Sequence, residues 1–231
     1  MRLGSAALPP AVSFPSPNCG ERRGGARPDL IVIHYTAMAS MAAARARLCD
    51  PAHEVSAHWL IGVDGAVEAL VDEALRAWHA GAGAWGAVTD VNSRSIGIEL
   101  DNGGAQPFPE PQMAALERLL AGIMGRWAIR PERVIGHSDM APDRKGDPGA
   151  RFDWRRLAMG GLSVWPEARS GGRPAEFLGH ARRFGYPDLD EGILLRAFRL
   201  RFRPGVEGPV DATDAAMAAD LAARFPVDVS A

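Results

Sequence analysis

Cysteine is scarce in this chain: Cys19 and Cys49 are the only two in 231 residues, and neither sits in a CxxC pair. A disulfide framework is thereby excluded, although one bridge between the two is not. Long apolar runs are missing as well, since none approaches the roughly 18–20 residues of a membrane-spanning helix. Excess charge of one sign is also lacking. Twenty-six Lys+Arg against 28 Asp+Glu leave a formal net charge of −2, which argues against a nucleic-acid coat or a polybasic membrane binder. The amino terminus lacks the hydrophobicity of a secretory segment, because Met1–Leu8 is short and mildly apolar before Pro9-Pro10. Cys19 follows Ser16-Pro17-Asn18 rather than the apolar residues that precede a lipidated cysteine. The expected location is therefore cytoplasmic, with the periplasm as the alternative if a leader is missing from the given sequence.

What the chain does have is core-forming material. Hydrophobic residues make up 47% of it, enough for one domain of moderate size with a small appendage. Residues 1–28 are rich in Pro, Gly and Arg and read as an irregular arm. Asp29–Tyr35 is a short β-branched run of the kind buried on both sheet faces. Ser40 is placed to cap an Ala-rich helix over Met41–Leu48. Trp59–Val63 and Ala66–Val71 flank Asp64-Gly65, a hairpin signal, because Gly accepts the positive φ of such a turn. In Ser95–Leu100, Ile96, Ile98 and Leu100 share one strand face while Gly97 and Glu99 share the other. Pro111 opens a helix whose Met113, Leu116, Leu120, Ile123 and Trp127 form one buried stripe. Val134-Ile135-Gly136 is a last short strand ending at His137. The pattern predicts an α/β fold with a mixed central sheet flanked by helices. A linker at Arg169–Arg173 separates residues 1–168 from three short helices in 174–231, with Asp211 or Thr213 to cap the third.

Six histidines need sorting. His53-Glu54 invites comparison with the HExxH helix of zinc proteases, but His58 follows at a spacing of five, not four, which turns the rings apart on a helix. His34 and His137 each end an apolar strand, where side chains at a sheet edge converge. Asp147 follows in the loop Arg144-Lys145-Gly146-Asp147-Pro148-Gly149. Two imidazoles and one carboxylate suit Zn²⁺ with an open fourth position. On chemistry alone the same residues read equally well as structural histidines and a turn aspartate.

A set of ordered blocks adds a resemblance. Ile33-His34-Tyr35-Thr36, Ser56-Ala57-His58-Trp59-Leu60-Ile61, Ala77-Trp78-His79-Ala80-Gly81, Asn92–Glu99, Gly136–Pro142 and Lys145–Gly149 occur in that order. Over residues 15 to 166 the chain resembles the zinc-dependent N-acetylmuramoyl-L-alanine amidases of the AmpD/AmiD kind, the amidase-2 family. The three-helix tail resembles, more loosely, the peptidoglycan-binding-like domain of AmiD-type members. The resemblance implies zinc held by His34, His137 and Asp147. It implies Glu99 as general base, taking a proton from water and passing it to the departing amine, and Lys145 as the cation that stabilises the oxyanion. It implies hydrolysis of the amide between N-acetylmuramic acid and L-Ala, and the weak export signal favours soluble 1,6-anhydromuropeptides of cell-wall recycling as the substrate. An exported amidase acting on intact wall and a non-catalytic peptidoglycan sensor are the rivals. His79, Trp78 and Asn92 are expected to contact substrate. Trp85 is read as a weaker contact of the same kind, His58 as a buried or ligand-orienting residue, and Tyr35 as structural. Arg182, Arg183, Arg196, Arg199, Arg201 and Arg203 read either as a basic groove or, more commonly, as a solvated helical face.

Overall fold

The computed structural model describes residues 11–168 and 170–228. Met1–Leu8, on which the compartment expectation rests, and Arg169 of the linker lie outside the described residues. The strands are β1 Val12–Ser13, β2 Cys19–Gly20, β3 Leu30–Tyr35, β4 Trp59–Ile61, β5 Val67–Ala69, β6 Arg76–Ala77, β7 Ser95–Leu100 and β8 Val134–Gly136. The helices are α1 Met41–Leu48, α2 Val91–Arg94, α3 Glu110–Trp127, α4 His137–Met140, α5 Trp154–Met159, α6 Phe177–Phe184, α7 Glu191–Phe202 and α8 Ala212–Arg224.

Six strands form one mixed sheet in the order β1-β5-β4-β7-β3-β8, and β2 pairs with β6 apart from it. The three strands β7, β3 and β8 run parallel, and β4 runs parallel to β7. The β4–β5 hairpin is antiparallel, and its turn places Gly65 at φ +84°. The irregular arm expected over 1–28 contributes β1 and β2; each is two residues long and exists through its partner strand rather than through any pattern of its own.

Strand alternation splits the core into two layers. Ile31, Ile33, Ile96, Ile98 and Leu100 bury one sheet face against the stripe of α3, which includes Met113, Leu116, Leu120 and Ile123. Leu30, Val32 and Ile135 point to the other face and share one apolar cluster with Phe177, Phe184, Phe198, Phe202 and Leu221 of the carboxy-terminal helices. Residues 174–228 therefore pack directly on the central sheet. At the carboxyl ends of the parallel strands this same face turns polar. His34 and Glu99, paired in register on β3 and β7, follow Val32 and Gly97 along it.

The arginines of the tail do not make one solvated face. Arg199 and Arg201 are 6% and 2% exposed; Arg199 pairs with Asp214 and Arg201 with Asp139. Arg203 bridges Asp211 and Asp214. Helix α8 opens with Asp211 as its cap, accepting from the amides of Thr213 and Asp214.

Candidate active site

The carboxyl ends of β3 and β7, the start of α4 and the loop after it surround a cleft of about 460 Å³. Its walls include His34, Trp78, His79, Glu99, Lys145 and Asp147, together with Tyr35 and Arg47. A cleft of this size matches the volumes that hold small-molecule ligands.

Three ligand atoms meet at its floor. His34 Nδ1 lies 2.9 Å from His137 Nδ1 and 3.0 Å from Asp147 Oδ2, and His137 Nδ1 lies 3.1 Å from the same oxygen. Among the described residues this is the one group of three or more His, Cys, Asp or Glu whose ligand atoms converge in this way. The separations approach the edge of about 3.3 Å in a tetrahedron with metal–ligand bonds of about 2.0–2.1 Å.

The hydrogen bonds behind the rings decide whether those atoms are free to bind a cation. Ser95 Oγ donates to the Val91 carbonyl at 2.6 Å, so its lone pairs are left to accept from His79 Nε2 at 3.1 Å. His79 Nδ1 then has no proton and accepts from His34 Nε2 at 3.0 Å. His34 Nδ1 is thereby left as a bare lone pair. His137 Nε2 donates to the Ala80 carbonyl at 3.0 Å, which strips its Nδ1 in the same way. Two lone pairs and a carboxylate oxygen facing one another repel unless a cation lies among them. The residues therefore fit a metal ion. Burial, followed by the facing His137, lowers His34 to about 4, so this imidazole is neutral at neutral pH, as ligation requires.

Glu99 stands beside this group without belonging to it. Its Oε2 is buried and has no hydrogen-bond partner in the protein. Burial, reinforced by the Asp147 charge and opposed by Lys145, pushes its carboxyl up to about 8. The Lys145 side chain is exposed along the cleft wall. It is the single lysine of the chain, every other basic side chain of this class being arginine.

The remaining expectations divide. Trp78 and His79 line the cleft, but both ring nitrogens of His79 are committed to His34 and Ser95. His79 packs so closely on β7 that a Cβ at Gly97 would lie 2.4 Å from its ring, and the glycine opens that space. Asn92 does not reach the cleft. It is buried, and its Oδ1 accepts from the amides of His79 and Ala80 at 3.1 and 2.9 Å, tying down the segment that faces the metal ligands. Trp85 is fully buried against Phe184 and Tyr186, in the core rather than the cleft. Two contributors escaped the sequence reading. Arg144 holds the Ala80 carbonyl at 2.6 Å, and Arg22, from the arm, binds the Ser93, Ser95 and Glu73 carbonyls at 2.9, 3.0 and 2.8 Å. No periodic signal marks such bonds, which link positions far apart in the chain.

His58 is fully buried, with Nδ1 accepting from the Gly97 amide at 2.9 Å and Nε2 donating to the Leu75 carbonyl at 3.1 Å. Only the neutral ring can make both bonds. Burial, and then the Arg22 charge, depress it from 6.5 to about 4. The unfolded chain thus binds this proton first. The stability that His58 contributes is whole above pH 6.5 and is lost as pH falls toward 4, to about 3 kcal/mol. Urea denaturation of both proteins at pH 7.5 and pH 5 should show the wild type losing about 2 kcal/mol relative to His58→Gln over that interval, a difference that separates His58 from His34 and Glu99, which titrate across the same range. An identical pH dependence in the two proteins would contradict the assignment.

The family model described as N-acetylmuramoyl-L-alanine amidase, Amidase_2, matches residues 24–150. The N-acetylmuramoyl-L-alanine amidase AmiD of Escherichia coli (strain K12) is 36% identical over 234 residues, covering 86% of this chain and 84% of that protein. The structure of E. coli AmiD in complex with the substrate anhydro-N-acetylmuramic acid-L-Ala-D-gamma-Glu-L-Lys superimposes with a TM-score of 0.80 at 34% identity, covering 87% of this chain and 91% of that one. AmpDh3 from Pseudomonas aeruginosa in complex with anhydromuramic pentapeptide gives a TM-score of 0.79 at 31% identity, covering 89% and 95%.

Proposed function

The chain belongs to the Amidase_2 family of N-acetylmuramoyl-L-alanine amidases, and from that membership we propose that it is a zinc hydrolase cutting the amide between N-acetylmuramic acid and the L-Ala of the stem peptide in soluble 1,6-anhydromuropeptides. The observation that carries the mechanism is the convergence of His34 Nδ1, His137 Nδ1 and Asp147 Oδ2, each free of a proton, beside Glu99. Zn²⁺ is the ion assigned to His34, His137 and Asp147, because two imidazoles and a carboxylate are a donor set of catalytic zinc, which keeps one position open. When bound, the ion supplies a Lewis acid that polarises the scissile carbonyl and makes water a nucleophile near neutral pH.

The side chains do the rest. Glu99, with its unpartnered oxygen in the cleft wall, accepts the proton of the attacking water and delivers it to the departing amine of L-Ala. Lys145 offers its ammonium to the negative charge that grows on the carbonyl oxygen. His79 acts through His34, whose ring it orients, while Trp78, which lines the cleft, presents its indole to the substrate. Among the described residues no helix is long and apolar enough to cross a membrane. All of these side chains lie within residues 1–168, the proposed catalytic domain; residues 174–231 form the second proposed unit.

The soluble substrate is supported by the fragment bound to the E. coli relative, an anhydro sugar with a short peptide. Mass spectrometry should find anhydro-N-acetylmuramic acid and a peptide with a free L-Ala amine after incubation with that class of compound. Intact sacculi should yield peptide far more slowly. Equal rates on both would move the assignment to a wall amidase, and cleavage of neither would leave a binder without hydrolysis.

A further inference from the structure

Helix α4 begins at His137, and the turn that presents this residue is gripped from the carboxy-terminal helices. Asp139, 1% exposed, accepts from the Gly136 amide at 2.8 Å, on the residue just before His137. Two further donors reach the same carboxylate from beyond residue 180. Tyr186 Oη donates to Oδ1 at 2.7 Å, and Arg201 Nη1 donates to Oδ2 at 2.7 Å. Arg201 continues to the Val134 carbonyl at 3.1 Å and to Ser163 Oγ at 3.0 Å. Its guanidinium lies over the Trp154 ring, 4.3 Å from the centroid. One arginine of α7 therefore holds both ends of the segment Val134–Asp139, the strand that leads to His137 and the carboxylate that closes the turn around it.

We propose that Arg201 and Tyr186 are positioning residues for the metal centre, so that the carboxy-terminal helices form part of the frame that aims His137. The inference rests on the reading of His137 as a metal ligand. A buried carboxylate is tolerable only while its charge is paired and its lone pairs are filled. Without Arg201, Asp139 loses its ion-pair partner and the bond that fixes Oδ2 in place, so the carboxylate swings toward water and releases the Gly136 amide. His137 would then lose the turn that directs its Nδ1 at Asp147, although Nε2 could still hold the Ala80 carbonyl. Ser138 donates its amide to the Asp147 carbonyl at 2.9 Å, so a shift of this turn also disturbs the loop carrying the third ligand.

The test uses the full chain with Tyr186→Phe, Arg201→Met, Arg201→Lys and the control Leu221→Ala, a core change on α8, which supplies neither of the two donors from Tyr186 and Arg201. Zinc dissociation constants come from competition with a chromophoric chelator, and amide exchange at Gly136 and Ser138 from NMR. Arg201→Met should weaken zinc binding about 10-fold or more and Tyr186→Phe about 3-fold, with faster exchange at both amides, since outer partners of metal ligands have effects of this order. Arg201→Lys, which keeps the ion pair, should recover part of the loss. Leu221→Ala should lower the melting temperature while leaving zinc affinity and both exchange rates unchanged. Wild-type affinity and exchange in Arg201→Met and Tyr186→Phe would overturn the proposal, as would equal weakening by Leu221→Ala. If Arg201→Met fails to fold, Tyr186→Phe, which removes one oxygen atom, decides. A wild-type chain that takes no zinc would remove the metal reading, and the exchange rates alone would then judge the grip on the turn.

Discussion

Glu99→Gln should lower hydrolysis of a muramyl peptide by about 10²- to 10⁴-fold, the range that a positioned general base contributes, while leaving the zinc content of the protein unchanged. The two halves of this expectation come from different observations. Glu99 sits opposite His34 in strand register, yet its carboxylate is not one of the three converging ligands, so its loss does not dismantle the ion's site. Its Oε2 has no partner in the protein, so replacing it by an amide breaks no structural bond at that atom. What the amide cannot do is take a proton from water. Burial and the Asp147 charge push this carboxyl up to about 8, which makes its ionised form a stronger base than an ordinary carboxylate, and a cation held by Asp147 would offset that charge and keep the ionised form populated. Steady-state rates measured alongside metal analysis decide the matter; a variant near the wild-type rate would strip Glu99 of the role.

Removal of the metal should have the larger effect. Dialysis against a chelator should abolish cleavage, and added Zn²⁺ should restore it. Asp147→Ala should weaken zinc binding by at least about 100-fold, the upper end of what loss of an outer partner alone costs, because it leaves two imidazoles facing each other with the anionic member gone. Rates unaffected by chelation, or an Asp147→Ala protein that keeps its zinc, would remove the metal from the mechanism. The Glu99 and Asp147 substitutions separate the roles, one losing chemistry with the ion retained and the other losing both.

Much of the architecture could be read before any coordinates. The β-branched run that becomes β3, the alternation of Ile96, Ile98 and Leu100 against Gly97 and Glu99, and the stripe of α3 each leave a periodic trace, and the whole is a mixed sheet flanked by helices. Ser40 caps α1 through the Ala43 amide, where the residue type led one to expect it. The two-residue strands β1, β2 and β6 leave no such trace, because their partners define them. Helix α4 is equally silent, since four residues are too few for a period. His34 and His137 stand out by residue type at strand ends, but their chemistry with the loop residue Asp147 leaves a structural reading equally open, and it is the ordered family motifs that imply the three as ligands. Asn92, Arg22 and Arg201 were misread or passed over for the opposite reason. Their work is done by bonds to segments distant in the chain, and an arginine that will pair with a buried aspartate looks the same in sequence as one in water.

The lone lysine has a practical consequence. Apart from the chain's own α-amino group, an amine-selective reagent meets a single nucleophile in this protein, and that nucleophile stands at the mouth of the cleft. A fluorophore or affinity tag coupled there would need no engineered attachment point, and its emission would report directly on whatever enters.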